Sequence, residues 1–298
     1  MIGDDVAVVR VGEGNIVVKV DMLVEHTDVP PGMTYRQAAR KAVAMCVSDF
    51  AAKGAKPASF LVSIGVKRGI TQAQVDEIAQ GLQDAGAEWK VRLVGGDTNE
   101  ADELIIDCVM LGVAQRIVRR DGAKPGDLLV VTGAFGYPPA GLKILMDDAK
   151  AEPGFKRKAT ASVLRPSPDL ELGLALAPYL TSSMDSSDGL ARSLHTLCRE
   201  SGVGLEVRHL PIGEGVEGFT TANNLDVERL VLQGGEEYLI VGTVPRAKIK
   251  AAEAAAKRKG GNLLRIGVAT AKKGRVELRS GTRSRLIPDV GWTHLGSR

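Results

Sequence analysis

The sequence predicts an α+β (mixed α/β) fold in two domains. The N-terminal one is a mixed sheet with helices on one face, and the C-terminal one an α/β sandwich. Three observations predict it. Hydrophobic period orders the first part as strand, strand, helix, strand, helix, strand, strand. Residues 116–126 then hold few apolar side chains and a Lys124-Pro125-Gly126 turn, which marks a boundary. Beyond it, strand-like and helix-like segments alternate again. The expected domains are 1–117 and 118–298.

The elements follow in order. Residues 6–11 and 15–21 are Val-rich and joined through Gly12-Glu13-Gly14, the pattern of a hairpin. Thr34 caps a helix to about residue 52, with Ala38, Ala42, Met45, Cys46 and Phe50 on its apolar face; Gly54 and Pro57 end it. A strand covers 59–66. Thr71 starts a second helix over 72–87, with Val75, Ile78, Ala79 and Leu82 inward. Strands follow over 91–94 and 104–114. The helices bury one sheet face, and a second subunit is the expected cover for the other, which is also apolar. In the second domain, strands are expected over 127–132, 204–208, 238–243 and 263–269. Helices are expected over 140–147, 158–164, 170–176, 187–200 and 246–259.

Composition narrows the class. The chain has 298 residues, 44% hydrophobic and 25% charged, as in soluble globular proteins. A net charge of +3 argues neither for nor against an anionic partner. Cys46, Cys108 and Cys198 lie far apart with no CxxC pair, which weighs against a disulfide framework or a zinc site. His26, His195, His209 and His294 are scattered, which weighs against a histidine metal site or a Ser-His-Asp arrangement. Met1 is not followed by a charged-then-apolar leader, and no apolar run is long enough to span a bilayer. The expected location is the cytoplasm.

Acidic residues beside glycine or serine carry the chemistry. They occur at Gly3-Asp4-Asp5, Val20-Asp21, Ser48-Asp49, Gly95-Gly96-Asp97-Thr98, Met184-Asp185-Ser186-Ser187-Asp188-Gly189 and Gly234-Gly235-Glu236-Glu237. Magnesium takes oxygen ligands and is commonly shared between carboxylates and phosphates, and glycine lets backbone approach phosphate closely. Taken alone, Asp5 and Asp21 read as solvated strand ends that a hairpin brings near each other. Asp49 lies in a helical stretch otherwise poor in charge, so an inward, paired or metal-bound carboxylate is expected. Gly95-Gly96-Asp97 reads equally as a tight turn or as backbone beside phosphate. Asp185 and Asp188 flank an expected helix start, where Ser187 or Asp188 caps and a phosphate with its magnesium fits.

Other patterns fail. Gly213–Gly218 matches the dinucleotide fingerprint in letters, but carries two glutamates and precedes no strong helix, so a loop is expected. No GxxxxGK[ST], HRD or DFG set occurs. The basic run over 246–285 has no interleaved aromatics and reads as a solvated face.

Taken in order, these pieces resemble the thiamine-monophosphate kinase family, of the aminoimidazole ribonucleotide synthetase and selenophosphate synthetase superfamily. The matching stretches are residues 2–8, 18–25, 44–57, 93–98, 120–127, 184–191 and 234–238. The resemblance implies ATP-dependent phosphorylation of thiamine monophosphate to thiamine diphosphate, in a homodimer joined through the N-terminal sheet, with Mg²⁺ and no nucleic acid or membrane partner. It implies Asp5, Asp21, Asp49, Asp97, Asp185 and Asp188 as metal ligands. It implies Gly96, Asp97, Arg120 and Ser187 at the nucleotide, and Asp97, Arg120 and Asp188 as the catalytic set. Glu236 and Trp292 match substrate contacts. Asp28 stands where the family has a substrate-contacting histidine, with His26 as a possible compensation. The family also carries a further segment before the Gly-Asp-Asp motif. Selenophosphate synthetase is disfavoured by the lack of a cysteine near Met1, and the hydrogenase-maturation dehydratase by a tail, 295–298, without one. A ribonucleotide cyclo-ligase-like enzyme and a non-catalytic nucleotide-binding protein are the alternatives.

Overall fold

The computed structural model describes residues 3–12 and 14–293. The readings that fell on Met1, Ile2, Glu13, His294 and residues 295–298 lie outside them. In the first half, β1 (Ala7–Val11) and β2 (Gly14–Val24) form the expected hairpin, with Val11 opposite Gly14. The second strand continues three residues past Asp21, so Asp21 is interior to β2 and not at its end. A short helix, α1 (Glu25–Asp28), leads to α2 (Tyr35–Lys53), β3 (Lys56–Lys67), α3 (Gln72–Trp89), β4 (Arg92–Ala101) and β5 (Ile105–Val113). Both long helices start on a capping box. Thr34 Oγ1 accepts from Gln37 N while the Gln37 side chain accepts from Thr34 N, and Thr71 and Gln74 repeat the exchange. Gly54, at φ 63°, closes α2 in the left-handed region.

The sheet order is β1-β2-β5-β3-β4, with β3 and β4 parallel and the other pairs antiparallel. Two expectations need correcting. The strand placed over 91–94 runs on to Ala101, so Gly95-Gly96-Asp97 is mid-strand rather than a turn. On α3, Val75 and Ala79 are exposed, and the buried stripe is Ile78, Gly81, Leu82 and Ala85. Gly81 steers that stripe, because a Cβ there would meet the Arg36 carbonyl on α2.

The second half holds β6 (Leu128–Val131), α4 (Tyr137–Asp147), α5 (Pro153–Leu164), α6 (Leu170–Leu176), β7 (Ser182–Ser186), α7 (Leu190–Ser201) and β8 (Gly204–Val207). It continues with α8 (Val216–Ala222), α9 (Val227–Gln233), β9 (Leu239–Val244), a 3₁₀ turn, α10 (Ile249–Arg258), β10 (Leu264–Thr270), β11 (Val276–Ser280) and β12 (Arg283–Leu286). The sheet order is β12-β11-β8-β10-β6-β9-β7; β8 and β11 run parallel and the other pairs antiparallel. Here too there are corrections. α4 begins at Tyr137 because Pro138 and Pro139 fill its first turn, where no intrahelical N–H is needed. Residues 182–186 form a strand that the sequence did not announce. The segment at Gly213–Gly218 is not all loop, since α8 starts inside it.

Helix α2 joins the halves. It packs on β2 and β5 of the first sheet and on β7, β9 and α6 of the second part. One apolar core accordingly mixes Phe50, Phe60 and Met110 with Val130, Leu176 and Ile240. The face of the first sheet away from α2 stays open, with Val20 51% and Met22 55% exposed. Among the described residues, no helix is long and apolar enough to cross a membrane.

Candidate active site

Three carboxylates converge where the halves meet. Asp5 precedes β1, Asp49 lies on α2 and Asp185 on β7. One oxygen from each lies within 4.8 Å of the others, and all three residues are buried. Ser48, also on α2, donates to Asp185 Oδ2 at 2.8 Å. Burial pushes the Asp49 carboxyl well above the ordinary range, and the charge of Asp185 adds to it. Burial, and then Asp5, push Asp185 up to about 6.

Three cations hold this charge. Lys53, fully buried, lies 2.6 Å from Asp4 Oδ1 and 2.7 Å from Asp5 Oδ2. Arg120 pairs with Asp5 and donates to the Gly3 carbonyl at 3.0 Å. Lys19 reaches Asp49 at 2.8 Å and Asp21 at 3.1 Å. Burial works against the Lys19 ammonium, but Asp49 and Asp21 outweigh it and raise its pKa. Five carboxylates (Asp4, Asp5, Asp21, Asp49, Asp185) thus face three cations (Lys19, Lys53, Arg120), which leaves a negative excess.

The donor set fits a hard divalent cation. Magnesium bonds oxygen at about 2.0–2.1 Å in octahedral geometry, which sets oxygen–oxygen separations of roughly 3 Å between neighbours and 4 Å across. The three oxygens, within 4.8 Å of one another, are close enough for one ion to draw them together. Asp5 Oδ2 also has no aligned hydrogen bond despite its ionic contact with Lys53, so it keeps an acceptor direction open.

The other sequence-picked residues are placed as follows. Asp21 pairs across the sheet with Cys108, whose side chain is buried on the α2 side, and Lys19 ties it to Asp49. Asp97 lies in the cross-strand row Met22–Asp107–Ser63–Asp97 on the open face of the sheet, opposite to that of Asp21. Gly96 is required by the sheet itself, because a Cβ would meet the Val62 carbonyl. Ser187 and Asp188 lie in the loop between β7 and α7. The N-cap of α7 is Gly189, at φ 109°, rather than Ser187 or Asp188.

That loop is a junction. The Ser187 carbonyl accepts from Glu236 N at 2.7 Å, and the Asp188 carbonyl from Trp292 N at 3.0 Å. Gly235 permits the first approach, since a Cβ there would meet the Ser187 carbonyl. Glu236, at φ 65°, pairs with the fully buried Lys41 of α2 and leaves its Oε2 buried without a hydrogen-bond partner. Lys41 also donates to the Asp28 carbonyl oxygen at 2.8 Å. The Asp28 carboxylate accepts from Val24 N and from Thr27 Oγ1, both at 2.8 Å, and so fastens α1. His26 faces the exposed Glu103 side at 2.8 Å. Trp292 is 46% exposed. Ser187, Glu236, Asp28 and Trp292 are therefore linked through one set of contacts beside α2.

Sequence reasoning missed Lys19, Lys41, Lys53 and Glu237. Lys41, Asp49 and Lys53 recur at steps of eight and four, with Ser48 the one other polar residue between them, and that polar stripe was the available signal. Glu237 accepts from Gly136 N at 2.6 Å, and burial pushes its carboxyl up to about 8. Nothing in the local sequence separates it from its neighbour.

This two-part α/β architecture around a buried acidic cluster matches known families. Residues 3–114 match the AIR synthase related protein, N-terminal domain, and residues 124–279 its C-terminal domain. The thiamine-monophosphate kinase of Nitrosopumilus maritimus is 38% identical over 291 residues, covering 98% of this chain and 92% of its own length. That of Pyrococcus abyssi is 34% identical over 296 residues, covering 99% and 90%. The structure of AaThiL complexed with AMPPCP and TMP superposes with a TM-score of 0.87 at 26% identity, covering 99% of this chain and 92% of that one. The chain belongs to the thiamine-monophosphate kinase family.

Proposed function

We propose that this chain transfers the γ-phosphoryl group of ATP to the phosphate of thiamine monophosphate, giving thiamine diphosphate and ADP. The observation that carries the reading is the buried Asp5–Asp49–Asp185 cluster with its ring of Lys19, Lys53 and Arg120. Full-length similarity to thiamine-monophosphate kinases supports it, as does the likeness to a relative complexed with AMPPCP and TMP.

The acceptor is a phosphate oxygen already ionised near neutral pH, so no strong general base is needed. Two of the described histidines are engaged elsewhere: His26 is held by Glu103 at the surface and His195 by the Ile287 carbonyl. What the reaction demands is that two polyanions meet in line. Arg120 Nε makes no hydrogen bond and lies 3.6 Å from Asp4 Oδ1, so the guanidinium keeps one donor uncommitted. Lys53 and Arg120 fix Asp5 in place, and Ser48 fixes Asp185. Bound Mg²⁺ would neutralise phosphate charge and align the attack, with Asp5, Asp49 and Asp185 as first ligands and Asp21 and Asp188 completing the set; Asp97, on the open sheet face away from this cluster, would contribute only to a neighbouring subunit across that face.

Gly96 and Ser187 are proposed at the nucleotide, and Asp28, Glu236 and Trp292 at the thiamine side. Lys41 holds Glu236 there. Asp97, Arg120 and Asp188 are the proposed catalytic set. We also place the domain boundary after residue 117, the location in the cytoplasm, and a homodimer on the open sheet face. The exposed Val20 and Met22 favour that pairing, which would bring Asp97 and Asp107 to the joint.

The test is ³¹P NMR of protein, ATP, Mg²⁺ and thiamine monophosphate. Equal growth of ADP and thiamine diphosphate with loss of the monophosphate resonance is expected. ADP formed while that resonance stays intact would overturn the acceptor assignment.

A further inference from the structure

We propose that Lys19 is a tethered cation, its ammonium standing between Asp49 and Asp21 where the carboxylates would otherwise draw a further divalent ion. This deepens the reading above and rests on its magnesium cluster. The consequence is a phosphate site that assembles with one divalent ion fewer than its carboxylates alone would take.

The placement comes from the strand. On β2, side chains alternate between the covered and open faces of the sheet. Val17 and Leu23 are buried beneath α2, and Lys19 and Asp21 share their parity. Lys19 pairs across the sheet with the buried Met110. A lysine is thus directed into the covered side of the sheet, with only 20% of its side chain exposed. An ammonium there is tolerable only when paired. Its pairing is with one oxygen each of Asp49, at 2.8 Å, and Asp21, at 3.1 Å.

The other two cations do not serve this position. Lys53 is held by Asp4, Asp5 and the Ser183 carbonyl, and Arg120 by Asp4, Asp5 and the Gly3 carbonyl. Both sit on the Asp5 side of the triad. Lys19 alone among the three joins Asp49 to Asp21. An ammonium carries three donors and one charge, and this one stands in ionic contact with both carboxylates. It cannot dissociate into solvent as a metal ion does. Lys19 is a positioning residue: it holds Asp49 and Asp21 together before any nucleotide or metal arrives.

The experiment counts metal without nucleotide, so it does not depend on turnover. Mn²⁺ bound per chain is measured by the loss of the free-ion EPR signal during titration of wild type, Lys19→Ser, Lys19→Gln and Lys19→Arg. Melting temperatures are recorded in EDTA and in Mn²⁺. We expect Lys19→Ser and Lys19→Gln to bind one Mn²⁺ more per chain than wild type, to melt lower in EDTA, and to regain most of that loss in Mn²⁺. Lys19→Arg should keep the wild-type count. Equal counts in all four proteins would overturn the proposal, as would variants that Mn²⁺ stabilises no more than it does wild type. Variants that stay unfolded even in Mn²⁺ would also overturn it, because a metal could then not replace the ammonium. A wild type that binds no Mn²⁺ would remove the magnesium reading itself. A higher count in the variants alongside absent thiamine diphosphate synthesis would overturn the acceptor and leave Lys19 in its role.

Discussion

Replacing Glu237 with glutamine isolates one buried carboxyl and fixes the sign of a pH effect. Burial raises Glu237 from an ordinary 4.5 to about 8, while the hydrogen bond from Gly136 N opposes the shift. The folded-state value lies above the unfolded one, so the folded protein binds this proton more tightly. Its contribution to stability is therefore full below about pH 4.5 and lost as pH rises through about 8. One pKa unit corresponds to about 1.4 kcal/mol, so the whole window amounts to about 5 kcal/mol at most; water drawn toward the ionised group reduces it. Glu237→Gln keeps an oxygen acceptor for Gly136 N and removes the titration. Urea denaturation of both proteins at pH 5, 6.5 and 8 is the assay. The stability of Glu237→Gln relative to wild type should grow by a few kcal/mol, on this linkage scale, from pH 5 to pH 8. A difference that stays constant across that range would refute the reasoning.

Further outcomes follow from the same geometry. Asp185→Asn removes a carboxyl that burial and Asp5 push up to about 6. At pH 8 the metal-free variant should melt no lower than wild type, while turnover falls at least roughly 100-fold; calorimetry and a rate assay check both. Gly96→Ala drives a Cβ into the Val62 carbonyl and should cost about 1–3 kcal/mol in denaturant unfolding. Met22→Lys places a charge on the open sheet face, 55% exposed in the single chain, and should convert a dimer to monomers in sedimentation velocity.

The sequence revealed some parts of this site and hid others for physical reasons. Helix α2 was legible because Thr34 reads as an N-cap and Ala38, Ala42, Cys46 and Phe50 keep a helical period. Asp49 was legible as the one charge within residues 42–52 of that helix. Strand β7 was not, since Ser182-Ser183-Met184-Asp185-Ser186 is polar yet wholly buried. Its hydroxyls are satisfied at distance, Ser182 by Thr243 and Ser183 by the Ala52 carbonyl, and hydrophobic period cannot register such pairing. Gly95-Gly96 looked like a strand end because glycine usually weakens strands. Here glycine is what lets β4 lie against the Val62 carbonyl. The charges of Lys53 and Asp5 are 48 residues apart in sequence (53 − 5), and nothing local announces their contact.

The most direct measurement of the central claim is chromatographic. Thiamine diphosphate made from ATP, Mg²⁺ and thiamine monophosphate is followed for wild type, for wild type in EDTA, and for Asp49→Asn. Steady product with wild type, abolished by EDTA and by the folded Asp49→Asn variant, is the expected result. Undiminished product from Asp49→Asn would contradict the claim that the buried Asp5–Asp49–Asp185 cluster drives the transfer.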